Sequence, residues 1–173
     1  MTRKPQACRS WRSQPPSRLA ERAGAQWFLL SRLIPKITGH RKFSASNKRD
    51  GSRVVVLDGD LTNATLCTET LRGLGCNVET LTDAENAAER IATARPELVI
   101  LDLDLPGGNG LDILEAIKTD HTTRHTSVIF TSHRNVTADK VEAFRRGADD
   151  YLVKPLDPLE LAARIEKILR RRQ

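Results

Sequence analysis

The sequence predicts an α/β fold, a doubly wound five-stranded parallel sheet, and three observations carry the prediction. Residues 98–101 form an unbroken apolar run, Leu-Val-Ile-Leu, that stops at Asp102 and a loop rich in Pro and Gly. A strand buried on both faces of a parallel sheet reads this way. Strand-like runs alternate with helical stripes, one unit every 20–25 residues or so from residue 53 onward. Four of the five runs end in a polar residue, and the carboxyl ends of parallel strands share one edge.

The elements follow in order. Arg53–Leu57 is a strand that runs into Asp58-Gly59-Asp60. Residues 62–74 suit a helix with Leu66, Leu71 and Leu74 facing inward and Gly75 as its stop. Cys76–Leu81 alternates as a short strand, and Ala84–Ala94 suits a helix that ends at the Arg95-Pro96 boundary. The central strand is followed by a helix over Leu111–Thr119, with Leu111, Leu114 and Ile117 at helical spacing. Ser127–Thr131 is the fourth strand, and Thr137–Arg146 a helix closed by Gly147. Tyr151–Val153 is the fifth strand and leads into Lys154-Pro155. Asp157 opens the last helix, with Leu159, Ala162, Ile165 and Leu169 on the core side. These units make one domain over residues 53–172, with right-handed crossovers.

Charge divides the chain into two parts. The 173 residues carry a net charge of +6. Residues 1–53 hold 13 Lys/Arg against Glu21 and Asp50, a net of +11, and residues 54–173 a net of −5. The basic character therefore belongs to the extension 1–52, not to the domain, which does not read as a nucleic-acid binder. Within the extension, residues 1–16 are of disordered composition. Residues 17–34 place Leu19, Ala23, Trp27, Leu30 and Ile34 on one stripe, with Arg18, Arg22 and Arg32 off it. That pattern is open to three readings: an amphipathic helix for a membrane surface or partner, a targeting presequence, or a dispensable or mis-assigned extension. Cys8, Cys67 and Cys76 have neither disulfide-framework nor zinc spacing, which agrees with a cytoplasmic location. No apolar run approaches the roughly 20 residues of a membrane-spanning helix.

The strand ends carry the chemistry. Asp58 and Asp60 follow the first strand, Asp102 the third, Thr131 the fourth and Lys154 the fifth. Carboxylates with a backbone carbonyl suit Mg²⁺, a hard cation that takes oxygen ligands. An ionised aspartate can attack phosphorus and form an acyl phosphate, and a hydroxyl and an ammonium can receive the phosphoryl oxygens. Each residue alone has a plainer explanation, a helix cap for Asp58 or Asp60 or a solvated charge for Lys154. Their coincidence at successive strand ends is what points to a site.

Four segments make the sequence recognisable: Val-Val-Val-Leu-Asp58, Leu-Val-Ile-Leu-Asp102-Leu-Asp-Leu-Pro-Gly, Val-Ile-Phe-Thr131-Ser and Gly147-Ala-Asp-Asp-Tyr-Leu-Val-Lys154-Pro. Over about 120 residues the chain resembles the receiver domain of two-component response regulators. The resemblance implies a flavodoxin-like (βα)5 fold with strand order 2-1-3-4-5 and the site at its switch point. It implies Asp102 as phosphoacceptor, supplied by a histidine kinase or a histidine phosphotransfer protein. Asp58, Asp102 and the Asp104 carbonyl would hold Mg²⁺. Thr131 and Lys154 would contact the phosphoryl group, with small Ser132 leaving it room. Lys154-Pro155 would be a cis peptide, and Thr131 with Tyr151 would form the switch. Asp104 and His133 match positions that modulate phosphoryl lifetime.

One departure stands out. The family usually carries two consecutive acids after the first strand, and here Gly59 occupies the position of the second. Asp60 is a further candidate ligand if the Gly59 loop bends toward the ion. The alternative is a degenerate pseudo-receiver, an interaction module that works without phosphorylation. A remoter alternative rests on Asp102-Leu-Asp104, which also resembles the Asp-x-Asp of haloacid-dehalogenase-like phosphohydrolases. That family carries the motif on its first strand, whereas here it is on the third, so a non-enzyme is expected. The chain ends in Arg170-Arg-Arg-Gln173, from which a stand-alone receiver with no specific DNA binding is expected, signalling by protein–protein docking. The segment around Asp149, Asp150 and Arg164 also resembles receivers that form a homodimer through the fourth helix, fifth strand and fifth helix.

Overall fold

The computed structural model describes residues 51–171; of the extension expected over residues 1–52, residues 1–50 lie outside them, the possible helix over 17–34 included. Seven strands and five helices follow one another along these residues. In chain order they are β1 (Arg53–Leu57), α1 (Leu61–Gly73), β2 (Asn77–Leu81), α2 (Ala87–Ala94) and β3 (Leu98–Asp102). The small pair β4 (Asp104–Leu105) and β5 (Gly108–Asn109) precedes α3 (Gly110–Thr119). Then come β6 (Ser127–Ser132), α4 (Thr137–Arg145), β7 (Asp150–Val153) and α5 (Pro158–Arg170).

The five main strands are all parallel, in the order β2-β1-β3-β6-β7. Counting main strands alone, this is the order 2-1-3-4-5 with its switch point between β1 and β3. β3, the apolar run, lies in the centre and is buried at every position. β6 is likewise buried at every position, because helices cover both faces of the sheet's centre, while edge strand β2 is largely exposed or half-buried. Val55, Leu57, Val99, Leu101, Val128 and Phe130 pack on one side with Ile91, Leu114, Ile117 and Ala143. Val54, Val56, Leu98, Ile100, Ile129 and Leu152 pack on the other with Cys67, Leu71, Leu161 and Ile165. The period of two along each strand is intact even though both parities are apolar.

Several element bounds differ from expectation, each for a local reason. α2 starts at Ala87, not Ala84, because the Asp83 carboxylate accepts from the Glu85 amide at 3.0 Å and holds 83–86 as a turn. β2 starts one residue late, at Asn77, on the sheet edge where one neighbour alone defines the strand. In α1 the buried set is Ala64, Cys67, Thr68, Thr70 and Leu71, while Leu66 and Leu74 flank the core. α5 is turned about Ile165, so that Leu161, Ala162 and Ile168 are buried and Leu159 and Leu169 only half so. No helix among the described residues is long and apolar enough to cross a membrane.

Candidate functional site

Strand parity positions the site. Val56 and Ile100 face the α1/α5 layer, and Asp58 and Asp102 continue that alternation two residues on. Register does the rest: Asp102 lies beside Thr131, and Thr131 beside Leu152, two residues before Lys154. Backbone bonds carry the sheet slightly past its strands. The amides of Asp58, Leu103 and Lys154 donate to Leu81, Thr131 and Ser132 carbonyls at 3.1, 3.0 and 2.8 Å.

The side chains so placed meet. Lys154 Nζ lies 2.7 Å from Asp102 Oδ2, to which it donates a hydrogen bond, and 2.9 Å from Asp58 Oδ2. The lysine and Asp58 side chains are 1% and 0% exposed and that of Asp102 8%, so only the phosphoacceptor candidate reaches the surface. The remaining carboxylate oxygens accept backbone amides, Asp58 Oδ1 from Asp60 at 2.9 Å and Asp102 Oδ1 from Asp104 at 3.3 Å. Thr131 is fully buried, and its hydroxyl has no hydrogen-bond partner; nor does Asp58 Oδ2, whose contact with Lys154 is an ion pair without hydrogen-bond alignment. Unpartnered buried polar atoms are expensive in a plain core and mark a place where a ligand makes up the difference.

Electrostatics follow from the count of charges: two carboxylates share one ammonium. Burial raises the Asp102 pKa above the ordinary carboxylate value, and the repulsion of Asp58 adds to it, against the hydrogen bond from Lys154. Burial works to lower the Lys154 pKa, but its contacts with Asp102 and Asp58 outweigh that and hold it above the usual lysine value. The net negative field also reaches α1, where burial first and then Asp58 push the Cys67 thiol up to about 12.

Asp60 does not join this group. Its carboxylate caps α1, accepting from the Thr62 amide at 2.8 Å and Asn63 Nδ2 at 3.1 Å, and the bond from the Thr62 amide is foremost in holding its pKa below the usual value. Accordingly, no cluster of three or more acidic, His or Cys side chains capable of holding a metal exists among the described residues. The donors that do fit a hard cation are the Asp58 and Asp102 carboxylates, both ion-paired with Lys154, and backbone carbonyls such as that of Asp104. The Asp104 and His133 side chains are exposed.

Tyr151 is buried, its ring 6.3 Å from that of Phe130, and its hydroxyl donates to the Arg134 carbonyl at 2.9 Å. It thereby ties β7 to the loop that follows Thr131. Lys154-Pro155 is cis. Arg164 pairs within the chain with Asp150 at 2.8 Å and Glu160 at 2.7 Å. Asp149 has a role in the fold: its Oδ2 accepts from the Val128 amide at 2.8 Å, and Lys118 Nζ stands 3.7 Å away.

Two glycines shape the site in ways that sequence reading missed. A Cβ on Gly110 would stand 2.3 Å from the Asp102 carbonyl oxygen and 2.9 Å from Phe130 Cε1, so α3 can start against β3 only without a side chain there. A Cβ on Gly59 would stand 2.4 Å from Pro106 Cδ. Gly59 and Pro106 were each visible, but nothing in the sequence pairs residues 47 positions apart.

Comparisons with known proteins bear on the family and the fold. Residues 54–166 match the family model described as the response regulator receiver domain. The chain is 37% identical over 119 residues to the DNA-binding response regulator MtrA of Mycobacterium tuberculosis (strain ATCC 25618 / H37Rv), covering 69% of this chain and 51% of that protein. It is also 37% identical over 89 residues to the phosphate regulon transcriptional regulatory protein PhoB of Escherichia coli (strain K12), covering 51% of this chain and 39% of that one. The chain thus spans about half the length of the curated relatives it matches. A putative response regulator from Chloroflexus aurantiacus J-10-fl superposes with a TM-score of 0.65 at 29% identity, over 69% of this chain and 98% of its own. The expectation of no specific DNA binding is corrected here: MtrA is a DNA-binding response regulator, and an argument from where a sequence stops does not outweigh that kinship. Receiver domains are generally non-enzymatic signalling modules, with a phosphorylatable aspartate and Mg²⁺ as standard features. With its parallel sheet, its carboxylate–lysine site and these relatives, the chain belongs to the response regulator receiver domain family of two-component systems.

Proposed function

We propose that the domain accepts a phosphoryl group on Asp102 from a histidine kinase or a histidine phosphotransfer protein, and signals by docking on another protein. The observation that carries this reading is the Lys154 ammonium held between two buried carboxylates, on strands where the buried, unpartnered Thr131 hydroxyl is the register neighbour of Asp102. Asp102 Oδ attacks phosphorus, the phosphorus–nitrogen bond of the phosphohistidine donor breaks, and the imidazole leaves with the electron pair. Lys154 and Thr131 then receive the phosphoryl oxygens, Lys154 as a charge and Thr131 as a donor. Asp58, Asp102 and the Asp104 carbonyl would hold Mg²⁺, which when bound offsets the negative charge of the incoming group. The acyl phosphate carries a charge of nearly −2 where the carboxylate carried −1. Movement of Thr131 toward it would be passed to Tyr151 and the 133–136 loop, because Tyr151 and that loop share a hydrogen bond.

The test is labelling of the full chain with acetyl phosphate and Mg²⁺, read by intact mass and by mapping a hydroxylamine-labile group. Labelling confined to Asp102 and abolished in Asp102→Asn is expected. A wild-type chain that stays unlabelled under conditions that label a control receiver, or a label that survives Asp102→Asn, would refute the reading. The second reading, a phosphorylation-independent interaction module, is favoured by one observation, the missing carboxylate at Gly59. It predicts neither labelling nor any change at Tyr151 with beryllofluoride.

A further inference from the structure

Arg134 is the hub of the loop between β6 and α4. Its amide donates to Ser132 Oγ at 3.0 Å, and its carbonyl accepts from the Tyr151 hydroxyl at 2.9 Å. Its guanidinium reaches forward into the first turn of α4, where Nη2 donates to Asp139 Oδ1 at 3.2 Å and Nε stands 2.8 Å from Oδ2. Lys140 adds a second tie. Its ammonium donates to Asn135 Oδ1 at 2.6 Å and lies 5.8 Å from the centre of the Tyr151 ring.

Little else holds that end of α4. Ala143 alone is buried among the described residues of the helix, while Val141 and Phe144 are exposed, as is Val136 before it. The N-cap is Val136, whose side chain cannot accept from the open amides of the first turn. A helix end with few apolar contacts and no cap opens at low cost. Charge therefore supplies what burial does not.

We propose that Arg134 and Asp139 are positioning residues for Tyr151: their ion pair clasps the loop to α4 and fixes the Arg134 carbonyl, which sets the fraction of molecules with the tyrosine ring buried. Burial of the ring and docking of the start of α4 are then one equilibrium, and ionic strength moves it. The contacts of the clasp involve none of Asp58, Asp102, Thr131 and Lys154. The inference thus stands whether or not Asp102 accepts a phosphoryl group.

The experiment uses the single tyrosine of the chain. The full chain is treated with tetranitromethane and nitration of Tyr151 is followed by peptide mass, because the rate scales with the fraction of exposed rings. Asp139→Asn and Arg134→Gln, each checked for folding by circular dichroism, should nitrate about three- to fivefold faster than wild type. The double variant should be no faster than either, since the two residues act as a pair. Salt at about 1 M should accelerate wild type by a similar factor and leave the variants unchanged, because it screens a partly exposed pair. Arg90→Gln breaks the 2.6 Å pair with Glu79 on the far edge of the sheet and should nitrate at the wild-type rate. Deuterium exchange should quicken in the variants over residues 137–141 and not in α3 or α5. Wild-type rates in both single variants, multiplying effects in the double variant or a wild-type rate indifferent to salt would each overturn the proposal. So would faster nitration of Arg90→Gln, or lost protection spread through α3 and α5.

Discussion

Replacing Lys154 by Met removes the one cation between two buried carboxylates while keeping most of the side-chain volume. Nζ stands 2.7 Å and 2.9 Å from the two Oδ2 atoms. At an effective dielectric of about 20 each contact is worth roughly 6 kcal/mol of Coulomb attraction before the cost of desolvating the charges. Most of that is cancelled by desolvation, and breaking a buried pair by removing one partner costs about 3–5 kcal/mol. Lys154→Met should therefore lose about 3–5 kcal/mol at pH 7, measured by urea unfolding of the full chain followed in the far ultraviolet. The pH dependence has two limbs. Without the ammonium, the carboxylate oxygens lie no farther apart than the two contacts laid end to end, about 5.6 Å. Their repulsion, roughly 3 kcal/mol at the same dielectric, makes the pair retain a proton above the ordinary carboxylate range. The deficit should thus shrink toward pH 5 by about 1 kcal/mol. On the alkaline side, burial works to lower the Lys154 pKa, but Asp102 and Asp58 hold it above the usual value. A raised pKa means that the folded state keeps its proton longer. The stabilisation from Lys154 is complete below the unfolded lysine range, near 10.4, and is lost as pH rises through the folded value. A deficit below about 1 kcal/mol at pH 7, or one identical at pH 5 and pH 7, would refute the charge-compensated site.

Asp102→Asn should stabilise the unphosphorylated protein at pH 7 by about 1 kcal/mol, because burial holds the native Asp102 pKa above the unfolded one. Such an acid contributes a deficit that develops as pH rises through that window, so the gain should vanish below about pH 4 in urea titrations. Asp149→Ala should cost about 1–3 kcal/mol, since it leaves the Val128 amide without its 2.8 Å acceptor. Asp150→Ala should cost less than about 1 kcal/mol, because Arg164 is partly exposed; equal losses would contradict the assignment of Asp149 to the fold. Gly110→Ala should lose about 3 kcal/mol, as its methyl group would meet the Asp102 carbonyl oxygen at 2.3 Å; a neutral result by thermal unfolding would show that α3 can back away from β3.

Much of the site was legible because it obeys one rule of parallel sheets. Strand carboxyl ends share an edge, so Asp58, Asp102, Thr131 and Lys154 could be grouped without knowing a single distance. Residues whose place depends on a loop were less legible. Asp60 was a candidate for the metal site by its nearness to Asp58, yet it lies at the first turn of α1, where open helix amides draw its carboxylate outward. Asp149 and Asp150 are adjacent in sequence and alike in chemistry. One replaces a strand partner for β6, while the other pairs with Arg164. Only their position at the start of β7 separates the two.

The sequence by itself determined the fold class, the five strands and their order of appearance, and the chemical kind of the site. Those follow from local apolar runs and from residues at run ends, which neighbouring positions along the chain are enough to specify. Tertiary structure alone decided the sharing of Lys154 between Asp58 and Asp102, the isolation of the Thr131 hydroxyl and the closing of Pro106 on Gly59. The first and the last are contacts between segments tens of residues apart, and the second is burial among them. The energy of each depends on ångström-scale separation and on exclusion of water, quantities that exist only once the sheet has brought the strand ends together.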